Sequence, residues 1–370
     1  MTPNIFRDNL IMPTYRYFTW AFAVTALGLM LGAWLGYNTA GVQGAINVFI
    51  ICAVLAILEI SLSFDNAIVN AKVLKDMDAI WQKRFLTWGI LIAVFGMRIV
   101  FPLLIVAIAA HLGPIEAVQL AISQPDEYAR ILTGAHVGIA AFGGTFLMMV
   151  GLKYFFDAEK EVHWIHVLEE RLTRYASLEG IEIGIVLAGI LVMYYVLPAE
   201  DSMTFVVAAI YGLLTFLGVE LIGHVLDASQ EQMDTVHKAG LGAFLYLEVL
   251  DASFSFDGVI GAFALSNNMF IIAIGLGIGA MYVRSMTIML VEKGTLNEFR
   301  FLEHGAFYAI LALAVIMYLQ TLTHIPEVVT GLLGAAMIIA ALYASIVWKR
   351  NNPESEEQAE ALDKVLGPAE

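Results

Sequence analysis

Apolar stretches of about 20 residues, the length that crosses a hydrocarbon core of about 30 Å, recur ten times along the chain. They cover approximately 18–37, 45–72, 86–110, 131–156, 179–197, 204–223, 239–264, 268–291, 302–322 and 326–348. Each predicts a transmembrane helix, because a helix satisfies its own backbone in lipid. Together they predict an all-α fold, a polytopic membrane helix bundle. The first stretch follows Arg7 and Arg16 but is longer than the apolar core of a signal peptide, so we read it as a retained helix. Between spans, residues 157–177 place Val162, Ile165, Leu168, Leu172 and Tyr175 at helical spacing among Glu and Lys, the pattern of a helix lying on the membrane surface. His163 and His166 lie within it as a weak metal-ligand pair. Residues 1–351 thus form a transmembrane domain, and 352–370, acidic with Pro353 and Pro368, read as a solvated, disordered tail.

Composition agrees. Of 370 residues, 60% are hydrophobic and 14% charged, against about 45–50% apolar in an ordinary soluble domain. A water-soluble globular protein is excluded. The net charge of −15 removes the basic surface that a nucleic-acid partner requires. One cysteine, Cys52, permits neither an intrachain disulfide nor a cysteine-based zinc site. When the loops are assigned alternately to two sides, sixteen of the nineteen Lys and Arg fall on one side and Arg130 alone on the other; Arg98 and Arg284 lie inside spans. The excess of positive charge predicts cytoplasmic N- and C-termini in the cell inner (plasma) membrane.

One internal repeat concentrates the buried charge. Glu59-Ile-Ser-Leu-Ser-Phe-Asp65-Asn-Ala-Ile in the second span matches Asp251-Ala-Ser-Phe-Ser-Phe-Asp257-Gly-Val-Ile in the seventh at an offset of 192. An arginine follows each copy in the next span, Arg98 and Arg284. The copies lie five spans apart, an odd number, so they run in opposite directions, the arrangement of an inverted-repeat transporter with its site where the repeats meet. The motif repeats occupy about 45–156 and 239–322. At 1.5 Å per residue, Glu59 and Asp251 fall about 20 Å into their spans. They are expected to meet at the centre, with Asp65 displaced inward and Asp257 outward.

A central carboxylate costs about 2.5–3.5 kcal/mol to insert. Glu59, Asp65, Glu248, Asp251 and Asp257 outnumber Arg98 and Arg284. The surplus calls for protons or a bound cation. With no thiolate available, an oxygen-seeking divalent ion such as Mn²⁺, Mg²⁺ or Ca²⁺ suits the set, and Asn66 and Asn70 can add carbonyl oxygens. At 100° per residue Glu59, Ser63, Asn66 and Asn70 share one helical face, while Ser61 and Asp65 point about 120° away. An unbroken helix therefore cannot bring Glu59 and Asp65 to one ion. Either the motif is locally unwound, which Gly258 and Gly261 would ease in the second copy, or Asp65 pairs with an arginine.

The blander reading makes these residues structural. Ser61, Ser63, Ser253 and Ser255 would cement helix contacts, and the arginines would serve as counter-ions. Glu220 and His224, four apart near the end of the sixth span, form an interfacial polar pair or a relay. His136, Glu303 and His304 sit at span ends, where polar groups reach water. No phosphate-binding loop, zincin motif or nucleophile elbow occurs, and no organic cofactor or enzymatic activity is expected.

These residues resemble the TerC family of integral membrane proteins, which is named for tellurite resistance and grouped with LysE-like transporters. The first copy fits that family's E-x-x-L-S-x-D-N-A pattern. The second, read from Glu248, fits E-x-x-D-x-x-F-x-x-D. The resemblance covers roughly residues 45–322 and implies divalent metal export, manganese foremost. It would make Glu59, Asp65, Asn66, Glu248, Asp251 and Asp257 the ion-binding set. The chain departs from the family where D-S-I-P-A is replaced by Asp257-Gly258-Val259-Ile260-Gly261-Ala262, in the 157–177 insertion, and in an extra apolar pair at its middle. The expected function is export of a divalent cation, most simply Mn²⁺, coupled to protons. The rival is a non-transporting membrane scaffold that binds metal in a stress response. Direction follows from the resemblance alone.

Overall fold

A computed structural model describes residues 13–157, 160, 162–175, 180–231, 240–323 and 325–352. The expected acidic tail lies outside the described residues apart from Asn352, and so do the side chains of His224 and Asp257. Among the described residues the chain is 87% helical and contains no strand.

A 3-10 turn (Thr14–Phe18) leads into α1 (Thr19–Leu62), followed by α2 (Phe64–Lys75), α3 (Ala79–Leu91), a π-helical segment (Ile92–Val100) and α4 (Phe101–Ala109). Short helices α5 (Pro114–Ser123) and α6 (Pro125–Gly134) precede α7 (His136–Phe155), α8 (His166–Tyr175), α9 (Ile181–Val196), α10 (Ala199–Glu231) and α11 (Leu241–Ala262). The chain ends in α12 (Met269–Glu292), α13 (Thr295–Glu298), α14 (Leu302–Gln320) and α15 (Glu327–Asn351).

Each of the ten expected spans coincides with one of these helices or with a joined pair. Among the described residues six helical stretches are long and apolar enough to cross a membrane unaided, and the bundle is a polytopic membrane fold. The first of them, Thr14–Leu62, is two spans folded back on each other. Ala40 and Gly41 leave the helical region, Gly41 with a φ of +61° that suits glycine. Gly36 then rests on the Gly44 carbonyl, and Gly32 lies against Cys52 and Val48. A straight helix would hold Gly32 and Cys52 about 30 Å apart, so the turn closes an antiparallel hairpin whose small residues let the arms touch. Residues 79–109 form two apolar helical pieces that meet at 44°, with the π-helical segment at the bend.

The main apolar core joins α2, α7, α10, α11, α12 and α14 through side chains such as Phe146, Phe205, Leu247 and Ile310. A smaller cluster packs α4 and α6 on the end of α11 and the start of α12, around Tyr128, Leu132 and Ile272. Trp20, Leu27, Tyr195, Leu332 and Ile339 remain exposed on the outside of the bundle, the surface that lipid covers in a membrane.

Helix α8 forms within 157–177, with Ile165 and Leu168 exposed and Glu169 wholly buried. Glu169 accepts from Lys160 Nζ (2.9 Å), Tyr308 Oη (3.0 Å) and the backbone amides of Ile165 (3.1 Å) and Trp164 (3.3 Å). His304 Nε2 donates to the Val162 carbonyl at 2.7 Å and lies 3.4 Å from the same carboxylate, with His163 Nδ1 at 3.6 Å. His304 is therefore an internal anchor rather than a group reaching for water. Glu303 beside it takes Lys72 (3.1 Å) and Lys75 (3.0 Å) from the end of α2. Glu169 thus ties the connection between the two halves of the chain onto α14.

Burial by itself would raise the Glu169 carboxyl, but the bonds from His304, Lys160 and the Ile165 amide outweigh it and hold the group well below the ordinary carboxylate range. A carboxylate depressed in the folded state contributes stability that is present above its unfolded pKa and lost as pH falls through its folded value. Glu169→Gln should lower the unfolding midpoint in detergent near neutral pH, at a cost of about 3 kcal/mol for a broken buried ionic cluster. The deficit relative to wild type should shrink as the buffer is acidified; a deficit that grows instead would show that Glu169 is not held as an anion.

Candidate functional site

The motif helices bring the two repeats together in opposite directions. Asn70 Nδ2 in the first copy donates to Asp251 Oδ1 in the second at 2.7 Å. At the other end of the contact, Gly258 faces Glu59 Oε2. Rising residue numbers on one helix thus meet falling numbers on the other, as the inverted repeat requires.

Helix α1 ends at Leu62 and α2 begins at Phe64, with Ser63 non-helical between them (φ −106°, ψ 18°). Despite this break the face relations hold. Glu59, Ser63, Asn66 and Asn70 line one cavity, of about 40 Å³, that they share with Asp251 and Ser255 of α11, Arg98 of the π-helical segment, and Arg284 and Thr287 of α12. Asp65 lies on the other side of the motif helix, in a second cavity with Ser61, Phe254, Gly258 and Thr330. Glu59 borders both.

Two expectations are corrected here. In the second copy α11 runs unbroken through Asp251, Gly258 and Gly261, so only the first motif is interrupted. Glu59 and Asp251 line one cavity but do not form a central pair. The crossing sets Asp251 opposite Asn70 and Glu59 opposite Gly258, seven residues away on α11, or about 10 Å along the axis. The offset of the repeat aligns sequence positions, whereas helix crossing decides which side chains face each other.

Arg98 forms a buried ion pair with Glu59, and Ser63 Oγ donates to the same carboxylate oxygen at 3.2 Å. Glu59 packs its stem directly on Gly279 of α12, where any side chain would collide with it. The π-helical register around Arg98 is a common device at functional sites, since the wider turn re-aims one side chain. Arg284 donates to the Phe85 carbonyl and stacks over the Phe85 ring at 4.8 Å. Gly89 leaves room for Glu248 and Arg284 to approach α3 together. Glu248, one turn before Asp251 on α11, is buried with neither carboxylate oxygen hydrogen-bonded. Also buried without partners are Asn66 Oδ1, Asn70 Oδ1 and Ser255 Oγ.

The remaining serines are structural. Ser253 Oγ bonds the Val249 carbonyl (2.9 Å) and Ser61 Oγ, exposed, the Ile57 carbonyl (2.8 Å). Glu220 pairs with Lys153 from α7. No group of three Asp, Glu, His or Cys side chains suited to hold a metal ion is found among the described residues. The Asp257 backbone lies in α11, its side chain outside the described set. Thr330, on the last helix and part of no motif, was missed in the sequence; its only signal there is a hydroxyl in an apolar span.

Residues 64–352 match the family described as protein of unknown function, DUF475. The chain belongs to the DUF475 family. No curated protein and no solved structure matches it. The DUF475 match opens one residue after the Ser63 break, so Glu59, Ser61 and Ser63 precede it, while Asp65, Asn66, Asn70, Arg98, Glu248, Asp251, Asp257 and Arg284 fall within it.

Removing one member of a buried ion pair costs about 3–5 kcal/mol, because the other charge is left unmatched. Arg98→Met should therefore lower the unfolding midpoint sharply. Glu59→Met combined with it should recover much of the loss, a double-mutant cycle read by thermal unfolding in detergent. Additive losses would mean that the two side chains do not act as a pair.

Proposed function

We propose that the protein is an integral membrane transporter of divalent cations, with Mn²⁺ the first candidate and export the direction, and that the ion binds in the cavity between the two inverted repeats. The observation that carries this reading is the set of unpartnered buried oxygens around Asp251: Asn66 Oδ1, Asn70 Oδ1, Ser255 Oγ and both oxygens of Glu248. A buried polar oxygen without a donor is costly, and a cation is the ligand that several convergent oxygens suit. These are hard donors with no sulfur or imidazole among them, the chemistry of Mg²⁺, Ca²⁺ and Mn²⁺.

The charges leave room for a cation. Glu59 is matched by Arg98, while Arg284, bonded to the neutral Phe85 carbonyl, keeps its charge beside Glu248. Glu248 and Asp251, three apart on one face of α11, are left with one net negative charge for the ion. To bind it, Asp251 exchanges the Asn70 amide N–H for the cation, and Asn70 turns its carbonyl inward. Such an exchange gives bound and free states different helix contacts, which alternating access needs. The likeness of both motifs to the TerC patterns supports the same substrate class. On this reading the Lys-rich end, with Lys72, Lys75 and Lys153, faces the cytoplasm, and protons are the coupling ion.

Cells expressing the wild type under manganese load should hold less manganese than cells carrying Asp251→Asn, with iron, zinc and magnesium measured alongside. The variant should reduce export roughly tenfold or more, the worth of one charged ligand. Proteoliposomes separate transport from scaffolding, since a scaffold binds without flux. Well-expressed wild type that changes no cellular metal and moves no divalent ion in liposomes would overturn the proposal.

A further inference from the structure

The second cavity is not absorbed by the divalent site. It is a small cavity of about 20 Å³ between the motif break, α11, α14 and α15. Asp65 and Thr330 line it and do not line the central cavity, and Asp251, Asn66 and Asn70 are absent from its walls. We propose that this cavity is a second binding site, for a monovalent alkali cation with Na⁺ the first candidate, formed by Asp65, Thr330 and the carbonyls that the break at Ser63 releases from the end of α1.

Three observations meet there. The first is the break itself. Across it the backbone bonds are Ser63 N to the Glu59 carbonyl (3.0 Å) and Ala67 N to the Ser63 carbonyl (3.2 Å), while the Asn66 amide turns to Asp65 Oδ1 (2.9 Å). The carbonyls of Ile60, Ser61 and Leu62 are not taken up by the next turn, and Ser61 and Leu62 stand in the cavity wall. A helix C-terminus carries partial negative charge, and interrupted membrane helices hold Na⁺ with such carbonyls.

The second is Thr330. Its residue is 8% exposed, it lines the same cavity, and its hydroxyl has no hydrogen-bond partner. A buried hydroxyl left unbonded on an apolar helix is expensive, and an ion in the cavity would take its lone pair.

The third is the charge count. Asp65 is 5% exposed and meets no basic side chain among the described residues. Its carboxylate sits in the first turn of α2, at the positive end of that helix. Glu59 also borders the cavity, but its charge is matched by Arg98. The site therefore offers one net negative charge, which a monovalent ion neutralises and a divalent ion overshoots in a medium that screens poorly. Gly334 keeps the α15 wall open beside Asp65 Oδ2, and Gly258 puts no side chain between Glu59 and the cavity.

Binding of Na⁺ here is independent of the divalent reading; coupling between the two ions would rest on it. The test uses the purified full-length chain in detergent, with thermal unfolding followed as NaCl replaces choline chloride at constant ionic strength, and KCl and MnCl₂ in parallel. A ligand of the folded state raises the midpoint. Na⁺ should raise it in wild type. Thr330→Val should weaken the apparent Na⁺ affinity roughly tenfold, as loss of one oxygen ligand does, while leaving the Mn²⁺ response intact. Thr330→Ser, which keeps the hydroxyl, should restore Na⁺ binding, so that a folding defect is told apart from loss of a ligand. Asp65→Asn should abolish the Na⁺ response. A wild type indifferent to Na⁺ overturns the proposal, as does a Na⁺ response unchanged by Thr330→Val and Asp65→Asn. If Thr330→Val instead removes the Mn²⁺ response, the cavity belongs to the divalent ion and the proposal also falls. A wild type that answers to Na⁺ but not to Mn²⁺ leaves this site standing and the divalent reading without support.

Discussion

Charge taken out of water has to be answered inside the bundle, and the buried pair of Glu59 with Arg98 is where this constraint shapes the rest of the structure. For the two to meet, α1 must lie against the π-helical segment, and Gly279 must be bare so that α12 can close over the carboxylate stem. The π-helical turn aims Arg98 inward, onto Glu59. With that charge matched, the remaining acids are not equivalent. Asp251 and Glu248 stand on the central side among unsatisfied oxygens, and Asp65 stands alone on the other.

The break at Ser63 gives one helix two chemical sides. A continuous helix would present Glu59, Ser63, Asn66 and Asn70 to one neighbour and consume all its carbonyls in doing so. The interruption keeps that face nearly in register while freeing backbone oxygens next to Asp65. The second copy of the repeat keeps α11 continuous, so the inverted symmetry of sequence is not matched by symmetry of backbone. The backbone asymmetry resides in the first copy.

Glu169 applies the same electrostatic rule outside the spans. The connection between the halves leaves Ile165 and Leu168 exposed and buries its acid, the reverse of a soluble amphipathic helix. The anchor reaches α14 through His304 and Tyr308, and α14 in turn receives Lys72 and Lys75 from the end of the motif helix through Glu303. The insertion is thereby mechanically linked to the motif, although it contributes no residue to either cavity.

Local periodicity was enough to determine the helical membrane bundle, the antiparallel run of the two motif copies and the division of the first motif into two faces, because each depends only on helix geometry and on the cost of polar groups in lipid. Asn70 could be placed beside Glu59 in this way, and Asp65 placed away from it. Which groups meet across the bundle was decided by tertiary packing. The 192-residue offset suggested that Glu59 faces Asp251, yet the crossing sets Asn70 against Asp251 and gives Glu59 to Arg98. Thr330 and Glu169 carry no motif, and their burial depends on helices far away in the chain. Periodicity specifies which face of a helix is polar, but the partner of that face is fixed only when helices distant in sequence pack together.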